Sequence, residues 1–286
     1  MNILVTGSAG QLGKEIQKLS AGLMDNFFFT DAEDLDITEQ NLLNTYVGLN
    51  KINFIVNCAA YTAVDKAESE PQKAELINKI GPLNLAVVCS DFNIPLIHIS
   101  TDFVFDGNKN SPYIETDLTN PLSVYGKTKL EGEQEIIKKA PTFAIIRTSW
   151  LYSEFGSNFV KTILRLGREK SEIKIVADQL GSPTYARDLA KVVLDIIPKI
   201  KKGTKELFHY SNNGVASWFD FAAKIIELSD LKCKAVPIPT KDYPTPAKRP
   251  KYSVMDKTKI KNYFNINISQ WQESLAECIN HMRGSL

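Results

Sequence analysis

The stretch Ile3-Leu4-Val5-Thr6-Gly7-Ser8-Ala9-Gly10-Gln11-Leu12-Gly13 decides the fold. A short apolar run meets a loop of glycine and other small residues, and a helical pattern, Gln11 to Leu19, begins inside that loop. A strand that turns straight into a helix through small residues is the context a phosphate-cradling loop requires. The bare backbone can approach a pyrophosphate, and the helix start offers unpaired N–H groups and the positive end of its dipole. The spacing is Gly-x-x-Gly-x-x-Gly rather than the commoner Gly-x-Gly-x-x-Gly. A glycine triplet alone is a weak signal; its place between strand and helix gives this one weight.

Moving outward, Asp31 closes the second candidate strand about twenty residues past the loop, where a carboxylate can accept hydrogen bonds from ribose hydroxyls. Asp36-Ile37 can border the adenine. Ala59-Ala60-Tyr61-Thr62 follows the third candidate strand and offers small residues where a dinucleotide must pass. No arginine precedes Arg147, so the usual partner of a 2′-phosphate is missing, although Lys14 or Lys18 can substitute. The reading favours NADH over NADPH.

Short apolar runs alternate with longer periodic segments through the first half of the chain, which predicts βαβ units and a parallel sheet. Candidate strands are Ile3 to Thr6, Phe27 to Thr30, Phe54 to Asn57, Leu96 to Ser100 and Phe143 to Arg147. Helical patterns run over Gln11 to Leu19, Thr38 to Leu49 and Pro71 to Ser90, the last opened by a proline suited to a first turn. The expected fold is a doubly wound, Rossmann-type α/β domain over residues 1–149. The stretch Gly181 to Ile200 reads as another sheet-flanking helix, so residues 181–202 return to that domain. Residues 150–180 and 203–286 are expected to build a smaller, discontinuous substrate lobe.

The 286 residues carry 34 Lys plus Arg against 33 Asp plus Glu, a net charge of +1, with 43% hydrophobic residues. That length and apolar content support a sizeable core and exclude disorder. Neutrality removes the basic footprint of a nucleic-acid binder. No apolar run approaches a membrane span, and the opening residues turn polar at once, so a cytoplasmic location is expected. The four cysteines (Cys58, Cys89, Cys233, Cys278) are scattered without a C-x-x-C pair and read as structural thiols. None of the three histidines looks catalytic, and His98 reads as part of a buried strand. No metal site is expected.

The chemistry points to Tyr125 and Lys129. Four residues apart, they share one helical face. An ammonium beside a phenol favours the phenolate and lowers a pKa that starts near 10, letting the tyrosine trade a proton with a carbonyl oxygen. With ten tyrosines, chance supplies about one Tyr-x-x-x-Lys pair, so the match alone decides nothing. Its place downstream of Ile99-Ser100-Thr101-Asp102-Phe103-Val104-Phe105-Asp106-Gly107 decides more, because that segment leaves the carboxyl end of a parallel strand, where ligands of such sheets bind. There Thr101 can hydrogen-bond the reacting oxygen.

Taken with the stretch Asn57 to Glu68, these motifs resemble the extended short-chain dehydrogenases/reductases. Arg147-Thr148-Ser149-Trp150-Leu151-Tyr152, Asp178 to Thr184 and Tyr243 to Pro250 narrow the resemblance to the dTDP-4-dehydrorhamnose reductases, and it runs from residue 1 to near Trp271. The resemblance implies a catalytic set of Thr101, Tyr125 and Lys129. It implies cofactor contacts at Gly10, Gln11, Leu12, Asp31, Asp36, Ile37, Ala60, Tyr61 and Thr62, beside Gly7, Gly13 and Ala59 of the same loops and the catalytic Tyr125 and Lys129. Substrate contacts are implied at Thr101, Asp102 and Trp150, with Arg249 on a diphosphate. The implied partner is a dTDP-linked 4-keto-6-deoxy sugar and the implied cofactor NADH or NADPH. Phe103 stands where many of these reductases carry Tyr.

Alternatives on the same fold are another 4-keto sugar-nucleotide reductase, an epimerase using the same Tyr and Lys, and a non-catalytic regulatory subunit. A 4,6-dehydratase is disfavoured, since Asp102 is followed by Phe103 where those enzymes place a second carboxylate. A monomer or a homodimer fits. The resemblance also admits Mg2+ in metal-linked dimers through residues such as Glu15; a glutamate on an exposed helix face is otherwise a solvated charge.

Overall fold

The computed structural model describes residues 1–284. Its first half lays down β1 (Asn2–Thr6), α1 (Gln11–Ser20), β2 (Asn26–Thr30), α2 (Gln40–Leu49), β3 (Phe54–Asn57), two short helices α3 (Val64–Ala67) and α4 (Pro71–Glu75), then α5 (Gly81–Phe92), β4 (Leu96–Thr101), α6 (Val124–Lys139) and β5 (Phe143–Thr148). All five expected strands are present, each within a residue of its expected ends. They form a parallel sheet with a sixth strand, in the order Lys205–His209, β5, β4, β3, β1, β2. Successive residues face opposite sides, so Ile3, Val5 and Val56 pack on one face with Leu189 and Val193, while Leu4 and Ile55 pack on the other with Leu43 and Leu85. Burial on both faces is why these strands read as unbroken apolar runs.

Three expectations need correction. Residues 203–286 do not stay in the smaller lobe. Lys205–His209 pairs with β5, burying Phe208 on one face, and the segment carrying Ile260, Phe264 and Ile268 packs on the same core. The lysines and Glu206 around this strand hide its short apolar centre. The helix expected over Pro71 to Ser90 is interrupted at Leu76–Ile80 by a π-helical turn. Pro82 has no N–H for the carbonyl of Asn78 and its ring crowds that carbonyl, so the chain widens there. The helix expected from Gly181 starts only at Ala186, after the two-residue strands Leu180–Gly181 and Thr184–Tyr185. A second core, around Tyr152, Ile163, Phe221, Ile225 and Leu275, gathers the segments of the smaller lobe.

Helix α6 needs the closest seat. Ser123 caps it, accepting from the N–H of Gly126 at 3.2 Å. A Cβ added at Gly126 would lie 2.2 Å from the carbonyl oxygen of Phe103, so no larger residue lets the helix approach the loop after β4. Beneath it, Glu133 is buried in a bidentate pair with Arg147 of β5 (2.9 and 2.6 Å) and accepts from Ser100 of β4 at 2.5 Å. Removing one member of such a pair leaves an uncompensated buried charge. Arg147→Met is therefore expected to lose about 3–5 kcal/mol in urea unfolding, and pairing it with Glu133→Leu to recover most of that loss.

Candidate active site

At the switch point of the sheet, between β1 and β3, the chain leaves in opposite directions and opens a crevice. Gly7 turns there with φ +67°, and a Cβ on it would come 2.5 Å from the Ala59 nitrogen, so the two loops touch through backbone. No side chain caps α1, and its first turn holds no acid. The N–H groups at its start face a cleft of about 850 Å³ that runs to the carboxyl ends of β4 and β5. The cradle fits a dinucleotide phosphate: bare backbone, and a helix start with no side-chain cap and no acid in its first turn.

Gly7, Gly10, Gln11, Leu12, Gly13, Asp31, Asp36, Ile37, Ala59, Ala60 and Thr62 all line this cleft, as do Thr101, Asp102, Tyr125, Lys129, Trp150 and Arg249. Tyr61 does not. Its hydroxyl donates to Glu70 at 2.7 Å, while its backbone exchanges hydrogen bonds with the Asn78 side chain, so it braces the loop from behind. Asn78 also donates to Thr128 of α6 at 3.2 Å, tying that loop to the tyrosine helix. Asp31 accepts from the N–H groups of Ala9 and Ala32, at 2.9 and 2.7 Å, which holds it across the mouth of the glycine loop.

The proton-handling end differs from expectation in one respect. Burial pushes the Tyr125 phenol up to about 12, against the pull of the Thr101 hydroxyl beside it. Lys129 does not lower it. Its amino group turns into the sheet, donating to the Ile99 carbonyl at 2.7 Å and lying 3.4 Å from His98 Nε2, and burial brings its pKa down to about 8. Phe103 packs edge-on against Tyr125, ring centres 5.5 Å apart.

On the opposite wall Trp150 adopts φ +46° and stacks on Trp218 with ring centres 3.6 Å apart and planes 8° from parallel. Only glycine at 181 leaves room, since a Cβ there would lie 2.6 Å from the Trp150 indole. Trp218 opens a helix after its Ser217 cap and gave no sequence signal as a site residue. Arg249 reaches the cleft but is engaged: Asp65 takes it bidentately at 3.0 and 2.8 Å, and Thr245 accepts at 2.6 Å. Its guanidinium, first among several causes, holds the Asp65 carboxyl below the usual range. Gln11 and Asn158 join the two lobes across the cleft at 2.9 Å.

Glu15 corrects another expectation. It is fully buried rather than solvated, set between Glu154 and Arg187, and burial first and Glu154 second push its carboxyl up. Among the described residues no three His, Cys, Asp or Glu side chains gather as a metal site requires, and no helix is long and apolar enough to cross a membrane.

Asp102 is 1% exposed, and burial raises its carboxyl to about 6. The folded protein thus holds this proton more tightly than the unfolded chain does, so wild-type stability falls as pH rises from about 4 to about 6. Against Asp102→Asn, wild type should lose on the order of 2–3 kcal/mol across that window and nothing further above it, as read by urea unfolding at successive pH values.

Residues 1–284 match the family model described as the RmlD substrate binding domain. A dTDP-4-dehydrorhamnose reductase of Aggregatibacter actinomycetemcomitans is 42% identical, over 96% of this chain and 96% of its own. Among solved structures, the dTDP-4-dehydrorhamnose reductase of Clostridium acetobutylicum superposes with a TM-score of 0.95 at 44% identity, covering 99% of this chain and 100% of that one. That of Bacillus anthracis, in complex with NADP, gives 0.94 at 38% identity, covering 98% and 99%. With matches at this identity across nearly its whole length, the chain belongs to the dTDP-4-dehydrorhamnose reductase family.

Proposed function

We propose that the protein reduces the C4 ketone of dTDP-4-dehydro-L-rhamnose to the alcohol of dTDP-L-rhamnose, with Tyr125 giving the proton. The observation that carries this reading is the position of a fully protonated phenol beside Thr101, in the same cleft as the glycine cradle. A reduced nicotinamide dinucleotide supplies the hydride when bound. Gly7 to Gly13 and the first N–H groups of α1 would hold its pyrophosphate, and Asp31 would receive ribose hydroxyls. A carboxylate at Asp31 that received the ribose hydroxyls would disfavour a 2′-phosphate on the same ribose, so we assign NADH as at least as good a cofactor as NADPH.

A proton donor must hold its proton until the oxygen needs it, and the buried Tyr125 does so throughout the neutral range. Thr101 would orient the ketone. Lys129, on the same helical face, would supply positive charge to the phenolate left on Tyr125 only once its amine is protonated and turned from the Ile99 carbonyl toward the cleft. The Trp150–Trp218 stack offers a flat wall for sugar or base, and Arg249 a planar fork for phosphate. Phe103 contributes packing to Tyr125 and no carboxylate, so dehydration has no second acid.

Consumption of NADH in step with dTDP-4-dehydro-L-rhamnose, compared with GDP- and UDP-linked 4-keto sugars, tests the reading. Net cofactor consumption separates reduction from epimerisation, and no turnover with any of these substrates would overturn enzymatic function. Tyr125→Phe should lower kcat by about 10²- to 10⁴-fold and leave NADH binding within about twofold. Direct comparison should give NADH a kcat/KM equal to or above that of NADPH.

A further inference from the structure

The mechanism gives no task to a buried imidazole beside the site. His98, on β4, is wholly buried with both ring nitrogens engaged: Nδ1 lies 2.9 Å from the side-chain nitrogen of Asn57, and Nε2 lies 3.4 Å from Lys129 Nζ. Asn57 determines which nitrogen carries the proton. Its Oδ1 accepts from the Thr6 hydroxyl at 2.7 Å and from the backbone N–H of Ala59 at 3.0 Å. A backbone N–H can only donate, so the amide oxygen must face it and the NH2 must face His98. An NH2 also only donates, so Nδ1 accepts and the neutral ring carries its hydrogen on Nε2. A second ring proton has no place, because Asn57 fills Nδ1, and burial first and Lys129 second hold His98 well below its usual value.

The Nε2–H therefore points at Lys129. A neutral amine can accept that hydrogen through its lone pair; an ammonium has no lone pair and sets N–H against N–H. We infer that His98 is a positioning residue for Lys129: Thr6, Ala59 and Asn57 fix its Nε2–H tautomer, which favours the neutral amine over the ammonium while the cleft is empty. The inference rests on Lys129 serving the proton chemistry proposed above.

Other groups act on Lys129 from each side. Glu133, one turn further along α6, and the Cys58 thiol after β3 both favour the ammonium, and burial opposes them. Glu133 already answers Arg147 and Ser100. Tyr125 shares the helix face and holds its proton, and Asp102 lies beyond it. Lys129 is thus set close to its point of half-protonation, and negative charge arriving in the cleft draws it to the ammonium by proton uptake from solvent.

Two spectroscopic readouts test this without using turnover. In protein with 15N-labelled histidine, the His98 signal, identified by its loss in His98→Gln, should show Nδ1 unprotonated and Nε2 protonated. In protein with 13C at the lysine ε-carbon, the Lys129 signal, identified by its loss in Lys129→Met, should titrate near pH 8. Asn57→Asp draws the histidine proton to Nδ1 and should raise the Lys129 midpoint by about one pH unit or more, a tenfold change in the amine-to-ammonium ratio. Asn57→Ala, which adds no charge, should move it in the same direction by less. His98→Gln, which keeps an oxygen toward Asn57 and an N–H toward Lys129, should hold it within a few tenths of a unit. An Nδ1–H tautomer in the wild type, or a Lys129 midpoint unmoved in both Asn57 variants, overturns the inference. An inactive wild type with these midpoints intact would instead sink the functional reading.

Discussion

The buried pair between Glu133 and Arg147 is the constraint on which the working end of this protein depends. Helix α6 carries charge toward the sheet, with Lys129 and Glu133 on successive turns and both almost fully buried. A helix with that pattern can rest on strands only if each charge finds a partner there. Arg147 on β5 and Ser100 and Ile99 on β4 supply those partners. A buried pair of this kind is a poor source of net stability but an exacting one of position, since sliding the helix by one turn would strand two charges. The absence of a side chain at Gly126 then brings Tyr125 down to the loop after β4, and its distance from Thr101 follows from the same seat.

The cofactor end answers negative charge differently. The net charge of +1 and the lack of arginine before residue 147 leave no field to attract a dinucleotide. On the proposed reading backbone would do that work: the uncapped start of α1, and a loop whose Gly7 packs directly on the backbone at Ala59. Fixed dipoles need no reorganisation when the anion arrives, and they do not raise the net charge. Asp31 is part of the same device, pinned by Ala9 and Ala32 before any ligand binds.

The strand–loop–helix at the N-terminus and the alternating first half were legible because both faces of the sheet are buried, which leaves plain apolar runs in the sequence. The places of Thr101, Tyr125 and Lys129 in one cleft followed from topology, since each lies at the carboxyl end of the sheet. What escaped has a common cause: side chains whose meaning lies in a distant partner. Lys205–His209 is a strand only because β5 lies beside it. Glu15 looks solvated until Arg187, 172 positions away in sequence, closes over it. Trp218 joins the site by stacking on Trp150, and Asn78 by a wide turn that Pro82 imposes. His98 read as plain strand, and its chemistry became visible only when Asn57 and Lys129 were found on either side of it.

The same dependence on partners shapes the substrate end. Arg249 is not a free cation awaiting phosphate; Asp65 holds it with the bidentate geometry a phosphate would use, and Thr245 fixes a third contact. An anion that engages this guanidinium must either displace the carboxylate or share it, so the gain is a difference between two ion pairs rather than the whole of one. A pyrophosphate, with more charge and more oxygens to offer than a carboxylate, can win that exchange, whereas a singly charged ligand gains little by it. If Arg249 takes the substrate phosphate as proposed, Asp65 would keep the arginine extended toward the cleft and make its engagement selective for the more highly charged ligand.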